Sequence, residues 1–200
     1  MDGFVGLIAR LVRGAGIPDP AIYTRYGLQL PGFFRATKKW DMLVVVDGVL
    51  LAVIEAKSHV GSFGNNFNNR TEEAIGSAVD LWTAYREGAF ARSSRPWLGY
   101  LFLLEDSQKS RSPVSVREPH FPVFDEFHNA SYRTRYELLL RKLVRERHYE
   151  AAAFLASDPQ TGPDGAYSEP APDLRFRDFA RLLIAHVASF AAVRGDDDRA

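Results

Sequence analysis

Residues 38–58 read KKWDMLVVVDGVLLAVIEAKS, and this stretch decides the fold. Residues 41–57 contain two apolar runs separated by Asp47-Gly48, a dipeptide that favours a tight hairpin turn. The second run, LLAVIE, does not alternate with polar residues as a half-wet strand would, so it is expected to be covered on both faces. Yet charges stand at its borders. Asp41 opens the first strand, and Glu55 and Lys57 close the second. Strand residues two apart point the same way, so Glu55 and Lys57 share a face. A two-residue turn at Asp47-Gly48 would pair Val46 with Val49, set Asp41 opposite Ile54, and turn it away from Glu55. Convergence of the two acids therefore requires an odd-length loop or a bulge around Val46–Val49, with positive φ at Gly48.

If Asp41 does join them, two carboxylates meet beside an ammonium. Hard oxygen ligands of this kind suit Mg²⁺, which binds through one or two carboxylates, waters and substrate phosphate. Such an ion activates water and neutralises charge on a phosphodiester. Lys57 would orient or deprotonate that water, or stabilise the pentacovalent phosphate. The plain alternative is that all three are strand-end charges facing water, because a D…E-x-K match arises often by chance.

The chain around this hairpin reads as a globular domain. Its 200 residues, 46% hydrophobic and 25% charged, suffice for a sizeable core. One domain is expected over 1–193, followed by a flexible acidic tail over 194–200. The absence of cysteine rules out a disulfide framework and a thiolate metal site, and is compatible with the cytoplasm. No apolar run reaches the ~18 residues of a membrane span, and residues 4–12 read as an amphipathic helix rather than a signal peptide. The net charge of zero argues against a generic polycation, though arginines gathered on one face can still hold DNA.

Further along, HVGSFGNNFNNR reads as a loop, with Asn69 and Glu72 as the capping box of a helix that buries Ile75, Ala78, Val79 and Trp82. PWLGYLFLLED reads as a strand covered on both faces, and SQKSRSPVSVREPHF as a polar loop. The periodicity predicts a helix over 131–149 with an Arg135–Arg145 stripe on its outer face. A last helix is predicted over 174–193, capped by Asp173, after the loop SDPQTGPDGAYSEPAPD. The expected architecture is α/β or α+β, a mixed central sheet flanked by helices.

The D…E-x-K hairpin, the upstream LPGFFRATKKWD and the downstream SHVGSFGNNFNNRTEEAIGSAVDLWTAYREGAF and LGYLFLLEDSQKSRSPV together resemble the XhoI-type branch of type II restriction endonucleases. The likeness runs from about residue 1 to residue 190, and GNNFNNRTEEA is its most specific part. Trp40 stands where the superfamily motif has Pro, and relatives are expected to extend N-terminally of MDGF, where this chain begins. The resemblance implies the restriction-endonuclease-like PD-(D/E)xK core and Mg²⁺-dependent cleavage of double-stranded DNA at CTCGAG. It implies catalytic roles for Asp41, Glu55 and Lys57, and metal held by Asp41, Glu55 and the Ala56 backbone carbonyl. A palindromic target implies a two-fold homodimer in which each subunit cuts one strand to leave a 5′-phosphate. Protection of the host implies a DNA methyltransferase in the same genome.

Arg reads guanine and Asn reads adenine, so Asn65, Asn66, Asn68 and Arg70, just past the catalytic strand, are candidates for DNA contact. Gln108, Lys109 and Arg111 form a second candidate loop. Turn chemistry is the competing explanation for the asparagines, and a solvated loop for the second group. His59 lies on the Lys57 face and within reach of substrate if the strand continues. Two alternatives stand beside a site-specific endonuclease: a catalytically impaired, truncated DNA-binding relative, and another nuclease of the superfamily with lower specificity.

Overall fold

The computed structural model describes residues 1–90 and 93–197. The chain enters as α1 (Asp2–Gly14), which buries Val5, Ile8, Ala9 and Val12 along one stripe. Short strands β1 (Ile22–Tyr23), β2 (Gln29–Pro31) and β3 (Thr37–Lys39) follow. Then come β4 (Met42–Val46), β5 (Val49–His59) and the long helix α2 (Phe63–Arg86). The rest of the chain is β6 (Trp97–Glu105), α3 (Gln108–Arg111), α4 (Tyr132–Arg145), β7 (Ala151–Ser157) and α5 (Phe176–Asp197).

Five strands form one mixed sheet in the order β1-β4-β5-β6-β7, while β2 and β3 pair separately as a hairpin. The β4/β5 pair is antiparallel, and β6 and β7 run parallel to β5. One face of the sheet packs on α1 and α5, where Ile8, Val12, Phe179, Leu183 and Val187 are buried with Ile54, Ala56 and Leu101. The other face packs on α2 and α4, where Leu81, Trp82, Tyr136 and Leu140 are buried with Val53, Leu98 and Phe102. The expected mixed sheet with helices on both faces is the one observed.

The central hairpin resolves the parity question. Its turn is the plain two-residue one, with Val46 paired to Val49 and positive φ at both Asp47 (48°) and Gly48 (79°). The extra residue lies further along β5: Val45 pairs with Leu50, but Val44 pairs with Ala52, so Leu51 is a bulge. Burial records the same break. Leu50 and Val53 belong to the α2/α4 core, whereas the consecutive Leu51 and Ala52 both belong to the α1/α5 core. The bulge is held from outside the sheet. The Leu50 N–H donates to Ser93 Oγ at 2.8 Å, and His186 Nε2, on α5, donates to the Leu51 carbonyl at 3.1 Å. A bulge was the right device, but it lies just past the Val46–Val49 stretch, because a type of turn that suits Asp-Gly leaves nothing to gain from lengthening the loop.

Several boundaries differ from expectation. Helix α2 starts at Phe63, so Asn69 sits within it and caps nothing. Its buried stripe is Ala74, Ala78, Leu81 and Trp82, while Ile75 is 39% exposed. Strand β7 (AAAFLAS) carries mostly alanines, which lack β propensity; its parallel pairing with β6 overrides that preference. Helix α4 ends at Arg145 rather than 149. Asp173 does not cap α5 but is bound by Arg141 at 2.7 and 2.8 Å. Helix α5 runs on through Asp197, into the stretch expected as a tail; residues 198–200 lie outside the described residues.

Candidate active site

The bulge carries Asp41 to the face of Glu55. Met42 faces Ile54 and the Asp41 N–H donates to the Ile54 carbonyl at 3.2 Å, so one step outward Asp41 comes opposite Glu55. Side chains follow. Lys57 Nζ lies 2.7 Å from Glu55 Oε1 and 3.7 Å from Asp41 Oδ2. Asp41 Oδ2 also accepts the Ala56 N–H at 2.8 Å. The N–H and C=O of one residue leave an extended strand on the same side, so the Ala56 carbonyl opens toward the same edge, beyond the start of β4. The three motif side chains thus converge on the α2/α4 face.

A fourth member was missed in the sequence. Lys38, on β3, places Nζ 2.9 Å from Glu55 Oε2 and 3.2 Å from the Lys39 carbonyl, and lies 4.0 Å over the Trp40 ring. Glu55, whose side chain is 3% exposed, is therefore gripped by an ammonium at each oxygen. Two acids and two bases make a neutral quartet, which is what allows a carboxylate to sit in so dry a place. The two lysines feel that place differently. Burial lowers the Lys38 pKa by more than Glu55 restores it. Burial also opposes the charge on Lys57, but Glu55 and then Asp41 and Glu73 outweigh it and raise its pKa. The only sequence hint of Lys38 was the KKW before Asp41; the bend between β3 and β4 that folds it back is tertiary.

The donor set fits a hard divalent cation: two carboxylates and a backbone carbonyl, all oxygen, at one strand edge. Among the described residues no cluster of three or more His, Cys, Asp or Glu side chains could hold a metal. Two carboxylates are the usual protein share for Mg²⁺, with water and phosphate supplying the rest.

The DNA-contact candidates fall on two neighbouring elements. Asn66, Asn68 and Arg70 ride on the first turns of α2, not on a loop; Asn65 shares that turn, and its side chain lies outside the described residues. Arg70 is paired with Glu73. Gln108 and Lys109 belong to α3 and line a groove of about 440 Å³ with Ser62, Phe63, Gly64 and Tyr132. Arg111 turns instead toward Asp106, at 3.5 Å. The Gly61 N–H donates to Glu105 Oε2 at 2.9 Å, tying the ends of β5 and β6 together beneath this groove.

His59 and two arginines of α4 are accounted for by contacts within the fold. His59 is 2% exposed and bonds Tyr136 Oη through Nδ1, so it is a core histidine and not within reach of substrate; burial lowers its pKa. In the arginine stripe of α4, Arg141 pairs with Glu137 and Asp173, and Arg135 donates to the Val114 carbonyl.

The family model described as restriction endonuclease XhoI matches residues 1–169. The type II restriction enzyme BstVI of Geobacillus stearothermophilus is 54% identical over 199 residues, covering 96% of this chain and 89% of that enzyme. The type II restriction enzyme XhoI of Xanthomonas vasicola is 54% identical over 147 residues, 72% of this chain and 59% of that enzyme. AbrI of Azospirillum brasilense, also a type II restriction enzyme, is 54% identical over 123 residues, 60% of this chain and 55% of that enzyme. No solved structure matches the chain. With most of its length matched, and with the D…E-x-K side chains drawn together by the Leu51 bulge, the chain belongs to the XhoI restriction endonuclease family.

Proposed function

We propose that the protein is a type II restriction endonuclease that hydrolyses both strands of duplex DNA at CTCGAG, with Mg²⁺, leaving 5′-phosphates. The observation that carries this reading is the meeting of Asp41 and Glu55 at one ammonium, Lys57, within 3.7 Å. Relatives named as type II restriction enzymes support the reaction class.

In this reading Asp41, Glu55 and the Ala56 carbonyl would hold a divalent ion, which would supply an activated water and neutralise charge on the scissile phosphate. Glu55 is kept in place by Lys38 on its far oxygen, so its near oxygen faces the cleft in a fixed orientation. Lys57 stands between the two acids as a positioned N–H donor, able to hold the attacking water or a phosphate oxygen as negative charge grows. Water is scarce around Glu55, which strengthens each of these charge interactions. Gln108 and Lys109 line the α2/α3 groove, where the duplex would be read, and Asn65, Asn66, Asn68 and Arg70 on α2 together with Arg111 extend that set. Two copies related by a two-fold axis would present two such sites to a palindrome, one per strand. A methyltransferase encoded in the same genome would protect host DNA in the cytoplasm, where the reaction belongs.

The test is incubation with a plasmid carrying one CTCGAG site, with and without Mg²⁺. A single linear product whose ends sequence to that site, bearing 5′-phosphates, is expected only with the metal. A gel shift without cutting would instead make this a DNA-binding relative, and a smear a nuclease of low specificity.

A further inference from the structure

The β2–β3 hairpin carries Phe33 and Phe34 at its tip, 55% and 69% exposed, with rings 5.3 Å apart and edge-to-face. They are not on a loose loop. Asp80, on α2 and only 2% exposed, accepts the Phe33 N–H at 2.7 Å, the Phe34 N–H at 2.8 Å and Arg35 Nε at 2.7 Å. Gly32 is packed so closely that a Cβ there would lie 2.5 Å from Asp80 Oδ2. Burying a carboxylate is costly unless it is fully paired. Here that group serves to fix the backbone under two apolar rings that point into water, the reverse of what the hydrophobic effect favours. A rigid, exposed aromatic pair has an occupant to meet.

Its surroundings say which. Residues 33–39, FFRATKK, carry three cations and no acid. Lys39 and Arg35 are both exposed, Arg35 while its Nε holds Asp80, a rim suited to phosphates rather than to an apolar protein surface. The same hairpin also delivers Lys38 to Glu55. Phe34 stands four residues before Lys38, across the end of the hairpin loop and the start of β3, so even a fully extended chain at about 3.3 Å per residue keeps the tip within about four base pairs of Lys38 at about 3.4 Å per pair.

We propose that Phe33 and Phe34 form an aromatic wedge that enters a base step of the duplex, flanking the phosphate cut at Asp41, Glu55 and Lys57; this rests on the endonuclease reading above. Phenylalanines inserted between base steps unstack and kink DNA, and the energy of unstacking is returned by ring–base stacking. The clamp by Asp80 spares the wedge an ordering cost at binding.

The experiment compares the wild-type chain with Phe33→Ala/Phe34→Ala, two exposed substitutions outside the catalytic group. Duplexes carry 2-aminopurine singly at each position within about six pairs of the cut, bound in Ca²⁺, with each pair spaced by about 3.4 Å. Wild-type protein is expected to brighten one step. The double variant should lose that signal and bind about 5- to 150-fold more weakly, the loss of one stacked base, while saturating enzyme still cuts plasmid. The wedge is overturned if wild-type protein cuts but no step brightens, or if the variant brightens it equally. It is also overturned if the variant turns a dimer into a monomer in sedimentation without DNA, which would make the tip a subunit contact. Wild-type protein that neither binds nor cuts would remove the endonuclease reading, and the wedge with it.

Discussion

At the scale of single residues, the half-buried Lys57 and the buried Asp80 show how a paired charge is put to different uses. Lys57 is held between Glu55 and Asp41 at 2.7 and 3.7 Å, and in the proposed reading it acts on the transition state more than on ground-state affinity. Lys57→Ala is expected to cut plasmid about 10²- to 10⁴-fold more slowly, the usual loss for a positioned proton-handling group, with DNA binding in Ca²⁺ preserved. Near-normal cleavage would take Lys57 out of the mechanism. Asp80 serves the fold. Burial would raise its pKa, but Arg35 and the Phe34 and Phe33 N–H groups outweigh that and lower it. A carboxyl with a depressed folded pKa contributes stability that is fully present above the ordinary carboxylate range and is lost as pH falls through the folded value. Asp80→Asn should therefore unfold at lower urea than wild type near neutral pH, by about 1–3 kcal/mol for donors left poorly paired. The gap should close as the buffer is taken through the acid range. A gap that stays constant with pH would mean that the Asp80 charge is not what clamps the hairpin.

Among elements, the decisive one is the bulged strand β5. Its two-residue turn by itself would face Asp41 away from Glu55, and the single extra residue at Leu51 reverses that parity. Ser93 and His186 hold the bulge by satisfying the Leu50 N–H and the Leu51 carbonyl. His186→Ala leaves that carbonyl without its donor, which is expected to cost about 1–3 kcal/mol in urea unfolding and to slow cleavage while Ca²⁺-supported DNA binding changes little. An unchanged cleavage rate in a correctly folded variant would show that the bulge holds without α5. Burial, partly offset by the bond to Leu51, lowers the His186 pKa. The unfolded chain thus takes up a proton that the folded chain resists. Stability from this group is present above the ordinary histidine value of about 6.5 and falls as pH drops through the folded value. His186→Asn should flatten that acid-side decline, as read from melting curves across pH 5–7.

For the whole molecule the question is how a chain of net charge zero holds DNA. Some of its arginines are taken up by pairs within the chain, Arg95 with Glu150 and Arg141 with Glu137 and Asp173. In the proposed reading, what meets phosphate is local, around the β2–β3 hairpin and the α2/α3 groove, and not a field of the entire surface. Binding should still weaken steeply with salt, with a log–log slope of about −0.9 for each phosphate neutralised. Titration of a labelled CTCGAG duplex in Ca²⁺ at several salt concentrations measures that slope. A flat line would mean that no phosphate-tracking surface exists.

By itself, the sequence determined the sheet's centre and which charged residues border it. Unbroken apolar runs at 49–54 and 97–104 admit only strands covered on both faces, Asp47-Gly48 admits a tight turn, and Glu55 and Lys57, two apart, must share a side. These are local properties, set by period and by turn stereochemistry, so they are legible without neighbours. The start of α2 and the alanine strand β7 were not, because there tertiary packing outvotes local preference. Only the tertiary structure decided that Asp41 faces Glu55, since the bulge is placed by Ser93, 43 residues from the Leu50 it bonds, and by His186, 135 residues from Leu51. Only it brought Lys38 to Glu55, Asp80 beneath Phe33 and Phe34, and Tyr136 against His59. Each of these joins residues far apart in the chain, and a pattern of spacing carries no information about which distant group will fill a buried partner's last hydrogen bond.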